Sequence, residues 1–541
     1  GFVQRGFDTV VLPALGKHLA DTGCISCGQC VSVCPTGALQ EHLPMKKQVP
    51  LQTEETDTIC GFCSVGCSVK TETCGTLAVK AVPDPEGPVN QGVLCKGGKF
   101  GFSSFSKEEN KLQVPLMKKA GGCTGCASAG DGAACAATAS LCETSYHDGL
   151  MLTAKSVESA ARRYGSDAVA IAVSDRFTTE EAYVAKVLAD RLGARIFSFN
   201  NRACGLEPVL GLNSTPNTID ELMSTEVVLA VGFDAAANQV MRVKLMNAAK
   251  AGAKVVLINP KGYEQDHMSF VTKAVYTENN LGFLKQIAKA LVTEETGKLE
   301  GYRKFASSLK GVKVSEEAQE IAELYAGAKK AMIVFQQNVV SVSCASLLAD
   351  IAVISGHIGS PRDGILMVKS KNNSQGLVDL GITAGAEALD GVKALLVFGQ
   401  NPDAELLKGV EFLMVSDTHL TPAAAGADVV LPGSAPISAD GSYINTERRF
   451  QMTNPALEPT VLFNNWQLMC ELAATLEMEL PYDSVEDIMA EMNTELLWYR
   501  DASEGEVMGG VLTPAKKTLV PVEDDAFADP MKNTDYLKDI M

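Results

Sequence analysis

The residues best suited to chemistry in this chain are two groups of cysteines near its start. We name them the first cysteine group, which comprises Cys24, Cys27, Cys30 and Cys34, and the second cysteine group, which comprises Cys60, Cys63, Cys67 and Cys95. Thiolates are the ligands of iron–sulfur clusters and of structural zinc. The spacing C-x2-C-x2-C-x3-C-P of the first group is typical of a [4Fe-4S] cluster. We therefore predict that the chain transfers single electrons. The alternative is zinc or unliganded cysteine for the first group and four-cysteine zinc for the second.

The two groups differ in whether they are complete. In two-cluster proteins with the first spacing, the fourth cysteine binds the other cluster, so Cys34 would need partners that this chain lacks. Either a portion before Gly1 is missing from the sequence, or the first group forms a single self-contained site. The second group supplies four thiolates by itself. Lys96 follows Cys95 directly, and we expect this cation to raise the potential of the cluster and to contact cofactor.

A third group of cysteines occupies a Gly- and Ala-rich loop at 121–148. Its members are Cys123, Cys126, Cys135 and Cys142. The spacing matches no ferredoxin pattern, but four cysteines in such a loop have little reason to be core residues. We predict that they bind metal, with a further [4Fe-4S] cluster favoured over zinc and unliganded thiols as the alternative. The chain would then hold two to four clusters.

The composition narrows the class of protein. The 541 residues carry 47 basic and 65 acidic side chains, a formal net charge of −18. An acidic surface argues against nucleic acid and anionic lipid as partners. No apolar run approaches the length of a transmembrane helix, so we expect no membrane insertion. Cysteines clustered at one end favour metal binding over disulfides, and hence a reducing, anaerobic cytoplasm.

Downstream of residue 150, short apolar runs alternate with helical patterns. The runs lie at 168–173, 227–231, 255–258, 331–335, 394–398 and 412–415. Helical patterns such as 180–192 and 240–251 separate them. Strand–helix alternation predicts an α/β fold in which parallel sheets carry helices on both faces.

The same reading divides the chain into segments. They are a ferredoxin-type [4Fe-4S] module at 1–45, a linker at 46–58, a small β-rich four-cysteine [4Fe-4S] domain at 59–120, the Cys-rich loop at 121–148, two doubly wound parallel-sheet domains at 150–455, and a peripheral helical or extended tail at 456–541.

The second cysteine group and the α/β pattern together resemble the molybdopterin oxidoreductase superfamily, which includes formate dehydrogenases and the large iron–sulfur subunit of complex I. The resemblance covers 59–480 apart from 121–148. The segments that carry it are 60–98, 227–238, 252–260, 356–359, 371–379, 399–402, 427–432 and 441–449. Residues 21–38 resemble the module that precedes this region in NAD-linked formate dehydrogenases, iron-only hydrogenases and complex I.

The resemblance also implies a catalytic site, from which this chain departs. In a formate dehydrogenase a cysteine or selenocysteine binds molybdenum or tungsten, a histidine follows it, and an arginine orients formate. Cys204 stands at the metal-ligand position, Gly205 replaces the histidine, and Lys369 stands where the arginine is expected. Lysine lacks the planar bidentate grip of arginine, and glycine removes the candidate proton acceptor. The C-terminal β-barrel that closes over the second pterin has no obvious counterpart after residue 480.

Glycine-containing loops at the ends of predicted strands are candidate cofactor contacts. If a molybdopterin guanine dinucleotide were bound, Gly232, Asn238, Asn373, Gly399 and Asn401 would hold its guanosine and phosphate ends. The alternative for each loop is a tight turn that requires glycine. No G-x-G-x-x-G fingerprint follows a strand, so we expect no NAD or FAD on this chain.

These observations lead to three hypotheses. The first is an electron-transfer subunit of a multi-subunit NAD-linked oxidoreductase, with a degraded molybdopterin site and with a flavin- and NAD-binding subunit and ferredoxin-like subunits as partners. The second is an active formate dehydrogenase-like subunit with a molybdenum or tungsten bis-pterin, in which Cys204 and Lys369 are catalytic. The third is a structural subunit with redox-silent clusters. We expect the metallopterin to be absent rather than present.

Overall fold

The structure is a computed structural model that describes residues 2–11, 16, 24, 26–39, 52–106, 111–118, 141–261 and 268–523. Cys123, Cys126 and Cys135 of the third cysteine group lie outside the described residues.

Strands and helices alternate along most of the described chain. The strands are β1 (Phe2–Val3), β2 (Val10–Val11), β3 (Glu54–Ile59), β4 (Ser68–Cys74), β5 (Leu77–Pro83), β6 (Leu116–Lys118), β7 (Leu141–Glu143), β8 (Val169–Val173), β9 (Arg195–Phe197), β10 (Val227–Val231), β11 (Lys254–Pro260), β12 (Lys273–Thr277), β13 (Ala331–Gln336), β14 (Gly364–Val368), β15 (Ala394–Phe398), β16 (Phe412–Asp417), β17 (Val429–Pro432), β18 (Gly441–Ile444) and β19 (Phe450–Thr453). The helices are α1 (Gln29–Ser32), α2 (Lys96–Phe100), α3 (Tyr146–Tyr164), α4 (Thr179–Leu192), α5 (Glu207–Leu210), α6 (Gln239–Lys250), α7 (Asn280–Leu291), α8 (Tyr302–Ser308), α9 (Glu316–Ala326), α10 (Val342–Ser355), α11 (Ser374–Asp379), α12 (Pro422–Gly426), α13 (Asn465–Thr475), α14 (Val485–Glu495) and α15 (Leu497–Arg500).

The second cysteine group lies on a small antiparallel sheet of order β3-β4-β5. Buried and half-buried residues alternate along β4, as expected for a strand with one face on a core. Phe62 and Phe102 of this domain share that core with Val228 and Ala230 of β10. The cysteine-bearing domain is therefore packed directly onto one of the α/β sheets.

A five-stranded parallel sheet has the order β12-β11-β10-β13-β14. The chain leaves β10 in one direction and returns at β13 to extend the other side. This arrangement opens a crevice where the carboxyl ends of β10 and β13 diverge. The loops that follow these two strands are thereby placed on the same edge of the sheet.

A seven-stranded sheet has the order β7-β6-β17-β16-β15-β8-β9, with β6 and β7 antiparallel at one edge. Alternate residues of β8 face two different cores, since Val169 and Ile171 lie in one and Ala170 and Ala172 in the other. Burial of both faces explains why these strands are continuously apolar. This sheet also has a crevice, which lies between the carboxyl ends of β8 and β15.

The predicted fold class, two doubly wound parallel sheets preceded by small iron–sulfur domains, is confirmed. Two boundaries differ from expectation. β6 comes from the segment assigned to the four-cysteine domain but extends the seven-stranded sheet. The first part of the expected peripheral tail forms α13 and α14, whose Met469 and Ile488 are fully buried. Short apolar faces on these helices, rather than strands, carry that burial. No helix in the described part of the chain is long and apolar enough to cross a membrane.

Asp350 of α10 makes the stability of this fold dependent on pH. Burial raises its pKa from 3.8 to about 8, and the Val520 amide that donates to Oδ1 at 3.2 Å opposes the shift. Oδ2 has no hydrogen-bond partner among the described residues. Between these pKa values the folded state keeps a proton that the unfolded chain releases, so the free energy of unfolding falls as pH rises.

We predict that Asp350→Asn removes this dependence, because the amide keeps the Oδ1 acceptor and carries no charge. The variant should gain about 1–3 kcal/mol over the parent at pH 8 and little at pH 4. Thermal unfolding between these values checks the prediction, with the exposed Asp390→Asn as control. Parallel pH profiles for parent and Asp350→Asn would contradict it.

Candidate functional site

The thiols of the second cysteine group lie near one another, since their charges act on one another's pKa. Cys60 follows β3, Cys63 and Cys67 lie in the turn before β4, and the Cys60 amide donates to the Cys67 carbonyl at 2.9 Å. Cys95 returns as the N-cap of α2, where its Sγ accepts from the Gly98 amide at 3.3 Å. Burial raises the pKa of Cys67, and Cys60, Cys63 and Cys95 add to the rise because like charges would be brought together.

This environment favours a bound, positively charged metal group over free thiolates. Burial and Cys95 raise the pKa of Cys63 to about 11, so four thiolates require a bound positive ion to coexist at this point. A four-cysteine zinc site needs every sulfur at about 2.3 Å from one ion. Among the described residues no three His, Cys, Asp or Glu side chains are close enough to hold a single metal ion. In a [4Fe-4S] cluster each thiolate binds a different iron.

Residues 61–66, which lie between these cysteines, form a segment that we name the cluster loop. Residues from the hairpin β18–β19 and its turn satisfy three of its carbonyls. Thr446 N donates to Ser64 O at 2.8 Å, Asn445 Nδ2 to Val65 O at 2.9 Å, and Gln451 Nε2 to Gly66 O at 2.9 Å. The cluster loop is thus held by residues almost 400 positions away in sequence.

Both α/β domains also form hydrogen bonds with the cluster loop. Ser64 Oγ donates to the Lys369 carbonyl at 2.7 Å, just after β14. Arg176, just after β8, donates from Nη1 to the Gly61 carbonyl at 2.5 Å. The loops after two parallel sheets therefore meet at the second cysteine group.

The first cysteine group docks onto the second domain. Gly28, between Cys27 and Cys30, lies against the side chain of Lys99, and a Cβ at Gly28 would be 2.7 Å from Lys99 Cγ. The side-chain Nε2 of Gln29 donates to the Gly92 carbonyl. Cys24 and Cys30 are exposed, while Cys27 and Cys34 are half-buried. A hydrogen bond from the Leu39 amide, followed by one from Thr36, lowers the pKa of Cys34 to about 7.

Two lysines follow Cys95, and the structure gives them different surroundings. The predicted Lys96 is exposed and contributes its backbone amide to Gln239 Oε1 at 2.8 Å. Lys99 is 3% exposed and donates from Nζ to the Ala81 carbonyl at 2.8 Å. Sequence reasoning missed Lys99, although its place one helical turn after Cys95 was a usable signal.

The structure brings Cys204 and Lys369 together at Asn213. Cys204 Sγ lies 3.2 Å from Asn213 Oδ1, and Lys369 Nζ lies 3.5 Å from the Asn213 carbonyl. Burial lowers the pKa of Lys369, while Cys204 and Asp379 oppose the shift. Cys204 itself belongs to the apolar core beneath the five-stranded sheet.

Gly205, at the position expected for histidine, has no space for a side chain. Its φ is +74°, and an added Cβ would lie 2.6 Å from the Val342 carbonyl and 2.7 Å from Ala345 Cβ. The start of α10 occupies that volume, and Ser346 Oγ donates to the Gly205 carbonyl at 2.7 Å. The volume beside Gly205 is therefore filled by α10 and leaves no room for a histidine side chain.

Buried polar atoms without partners lie near Lys369. Both side-chain polar atoms of Asn372, Oε1 of Gln375 and Oδ2 of Asp379 have no hydrogen-bond partner among the described residues. Burial raises the pKa of Asp379 to about 6. Such atoms fit a polar group of the pterin kind, whereas the packing at Gly205 does not fit a histidine-assisted metal centre.

The remaining predicted cofactor contacts are used within the protein. Gly232 has φ +56° and packs on Val340, and Asn238 stands at the N-terminus of α6. Gly399 has φ +68° and packs on Phe177.

The two other asparagines predicted as cofactor contacts bond to the backbone. Asn373 donates from Nδ2 to the Phe177 carbonyl at 2.8 Å and accepts from the Ile444 amide at 2.9 Å. Asn401 Oδ1 accepts from the Ala423 amide at 3.0 Å. The described member of the third cysteine group, Cys142, pairs with Met117 across β6 and β7.

Comparison with known proteins adds three family matches. The molybdopterin oxidoreductase model matches residues 115–475, the molybdopterin oxidoreductase Fe4S4 domain matches 53–106, and the 4Fe-4S binding domain matches 22–40. These matches include both cysteine groups with described geometry.

Similar proteins of known name are formate dehydrogenases. Formate dehydrogenase H of Escherichia coli (strain K12) is 24% identical, with 80% of this chain and 70% of that protein covered. The F420-dependent formate dehydrogenase subunit alpha of Methanocaldococcus jannaschii is 24% identical, with 82% and 74% covered. The solved structure of acetylene hydratase from Pelobacter acetylenicus has a similar fold, with a TM-score of 0.63, 14% identity, and 86% and 77% covered.

We predict that Gly205→Ala destabilises the five-stranded domain more than Gly356→Ala. Both glycines have positive φ, which costs an alanine about 1–2 kcal/mol. Only Gly205 adds a collision with α10, for about 1–3 kcal/mol more, since nothing lies within 4 Å of a Cβ at Gly356. Urea unfolding of the two variants measures the difference, and equal losses would contradict the packing described at Gly205.

Proposed function

Because the chain belongs to the molybdopterin oxidoreductase family, we propose that it is an iron–sulfur electron-transfer subunit of a multi-subunit NAD-linked oxidoreductase, built on a scaffold whose metallopterin site is degraded. The observation that carries the proposal is the packing of α10 against Gly205. It leaves no space for the side chain that a hydride-transferring metal site would use as proton acceptor.

The residues of the two cysteine groups fit [4Fe-4S] clusters. When bound, such clusters supply reversible one-electron transfer. The second cysteine group would hold one cluster out of water through Cys60, Cys63, Cys67 and Cys95. The first cysteine group would supply cluster ligands near the surface, namely Cys24, Cys27, Cys30 and Cys34. The contact between Gly28 and Lys99 keeps the two groups adjacent. The chain would thus supply two neighbouring cluster sites for electron transfer.

The surroundings of Cys204 and Lys369 support a scaffold role for this region. The Cys204 thiol has a protein partner in Asn213, and Lys369 is buried beside the same residue. In this proposal Cys204 and Lys369 take no part in catalysis.

The exposure of the first cysteine group supports redox partners that approach from this side. Cys24 and Cys30 are exposed, so an incoming cluster or flavin can approach them closely. We propose a flavin- and NAD-binding subunit and ferredoxin-like subunits as those partners, in a reducing cytoplasm.

A second candidate function is an active formate dehydrogenase-like catalytic subunit. It is favoured by the unpartnered polar atoms of Asn372, Gln375 and Asp379, which could bind a pterin, and by the names of the similar proteins. In that case Cys204 would be the molybdenum or tungsten ligand and Lys369 would face the substrate.

Metal analysis of the anaerobically purified chain separates the two functions. We predict iron for at least two [4Fe-4S] clusters, no stoichiometric molybdenum or tungsten, and EPR signals that dithionite reduction produces. Cys63→Ser should lose the iron of one cluster, whereas Cys204→Ser should keep the iron and the signals of the parent.

Two other outcomes would contradict the proposed function. Stoichiometric molybdenum or tungsten that Cys204→Ser removes, together with formate oxidation, would establish the second candidate. Clusters that stay silent across the whole accessible potential range would establish a structural subunit.

A further inference from the structure

Each α/β domain contributes a loop that contacts the cluster loop and carries buried positive charge. Arg176 follows β8 of the seven-stranded sheet and is 3% exposed. Its Nη1 donates to the Gly61 carbonyl at 2.5 Å, and its guanidinium carbon lies 5.5 Å from the centre of the Phe62 ring. Since Gly61 and Phe62 separate Cys60 from Cys63, this guanidinium is fixed against the cluster-binding segment.

Lys371 approaches from the other domain. It follows β14 of the five-stranded sheet and is 7% exposed. The loop that carries Lys371 contacts the cluster loop twice. The Lys369 carbonyl accepts a hydrogen bond from Ser64 Oγ at 2.7 Å, and Asn372 Nδ2 lies 4.0 Å from the position that a Cβ would take at Gly61. Lys371 stands between these two contacting residues, so its charge is buried in the loop that packs on the cluster loop.

Charge and burial oppose each other at this site. Reduction of a bound cluster adds one electron and one negative charge, and no bond forms or breaks. Burial disfavours the added charge, because a low-dielectric interior solvates it poorly. Fixed cations nearby favour it, and the potential of an iron–sulfur cluster follows the net charge and hydrogen bonds around it.

We infer that Arg176 and Lys371 are positioning residues that raise the reduction potential of the cluster held by Cys60, Cys63, Cys67 and Cys95. The α/β domains would then act on electron transfer by supplying these two charges. The inference rests on the proposed function in one respect, that this cluster exchanges electrons.

An EPR-monitored redox titration of the full anaerobic chain tests the inference, with dithionite as the electron donor. The signal of this cluster is the one that Cys63→Ser removes. In the variants Arg176→Gln and Lys371→Met, the cluster should bind the electron about tenfold more weakly than in the parent. Its midpoint potential should therefore fall by about 59 mV in each, the value for a one-electron couple. Arg176→Lys keeps the charge and should fall less. Arg162→Gln, on the exposed face of α3, is the control and should match the parent.

Iron content is measured on every variant. Unchanged midpoint potentials in iron-replete Arg176→Gln or Lys371→Met would overturn the inference, as would loss of iron from both, which would indicate a structural role only. If only one variant loses its iron, the other decides. A parent cluster that dithionite cannot reduce would overturn the proposed function as well, and so is distinguishable from failure of the inference alone.

Discussion

The carbonyl groups of the cluster loop are the constraint on which the arrangement of domains depends. A loop of six residues that wraps a buried site has few partners of its own, and a buried carbonyl without a donor costs free energy. Donors reach it from Arg176, Asn445, Thr446 and Gln451. The two sheets and the β18–β19 hairpin must therefore keep fixed positions around the cysteine-bearing domain, and the shared core of Phe62 with β10 maintains them.

The same packing accounts for the stability of the region around Cys204. The α10 helix fills the volume next to Gly205, and Asn213 satisfies both the Cys204 thiol and Lys369. A helix that closes this space stabilises the sheet by burying apolar surface. The unpartnered atoms of Asn372 and Asp379 are the exception, because they remain costly where they are.

Much of the fold could be predicted from local patterns. The apolar runs at 227–231 and 394–398 coincide with β10 and β15, because strands buried on both faces are continuously apolar. The edge strand β12 was not singled out, since its partly exposed residues alternate less clearly. The helices α13 and α14 were mistaken for periphery, because a few apolar residues in an acidic tail do not reveal which surface they cover.

The sequence alone determined the candidate cluster ligands, the parallel-sheet architecture and the departures at Gly205 and Lys369. Ligand type and spacing are local properties, and so they can be read from the order of residues. Only the tertiary structure decided that Lys99 and not Lys96 is the buried cation, that Gly205 is closed by α10, and that Arg176 and Lys371 meet at one loop. These facts depend on contacts between residues far apart in the chain, which no local pattern encodes.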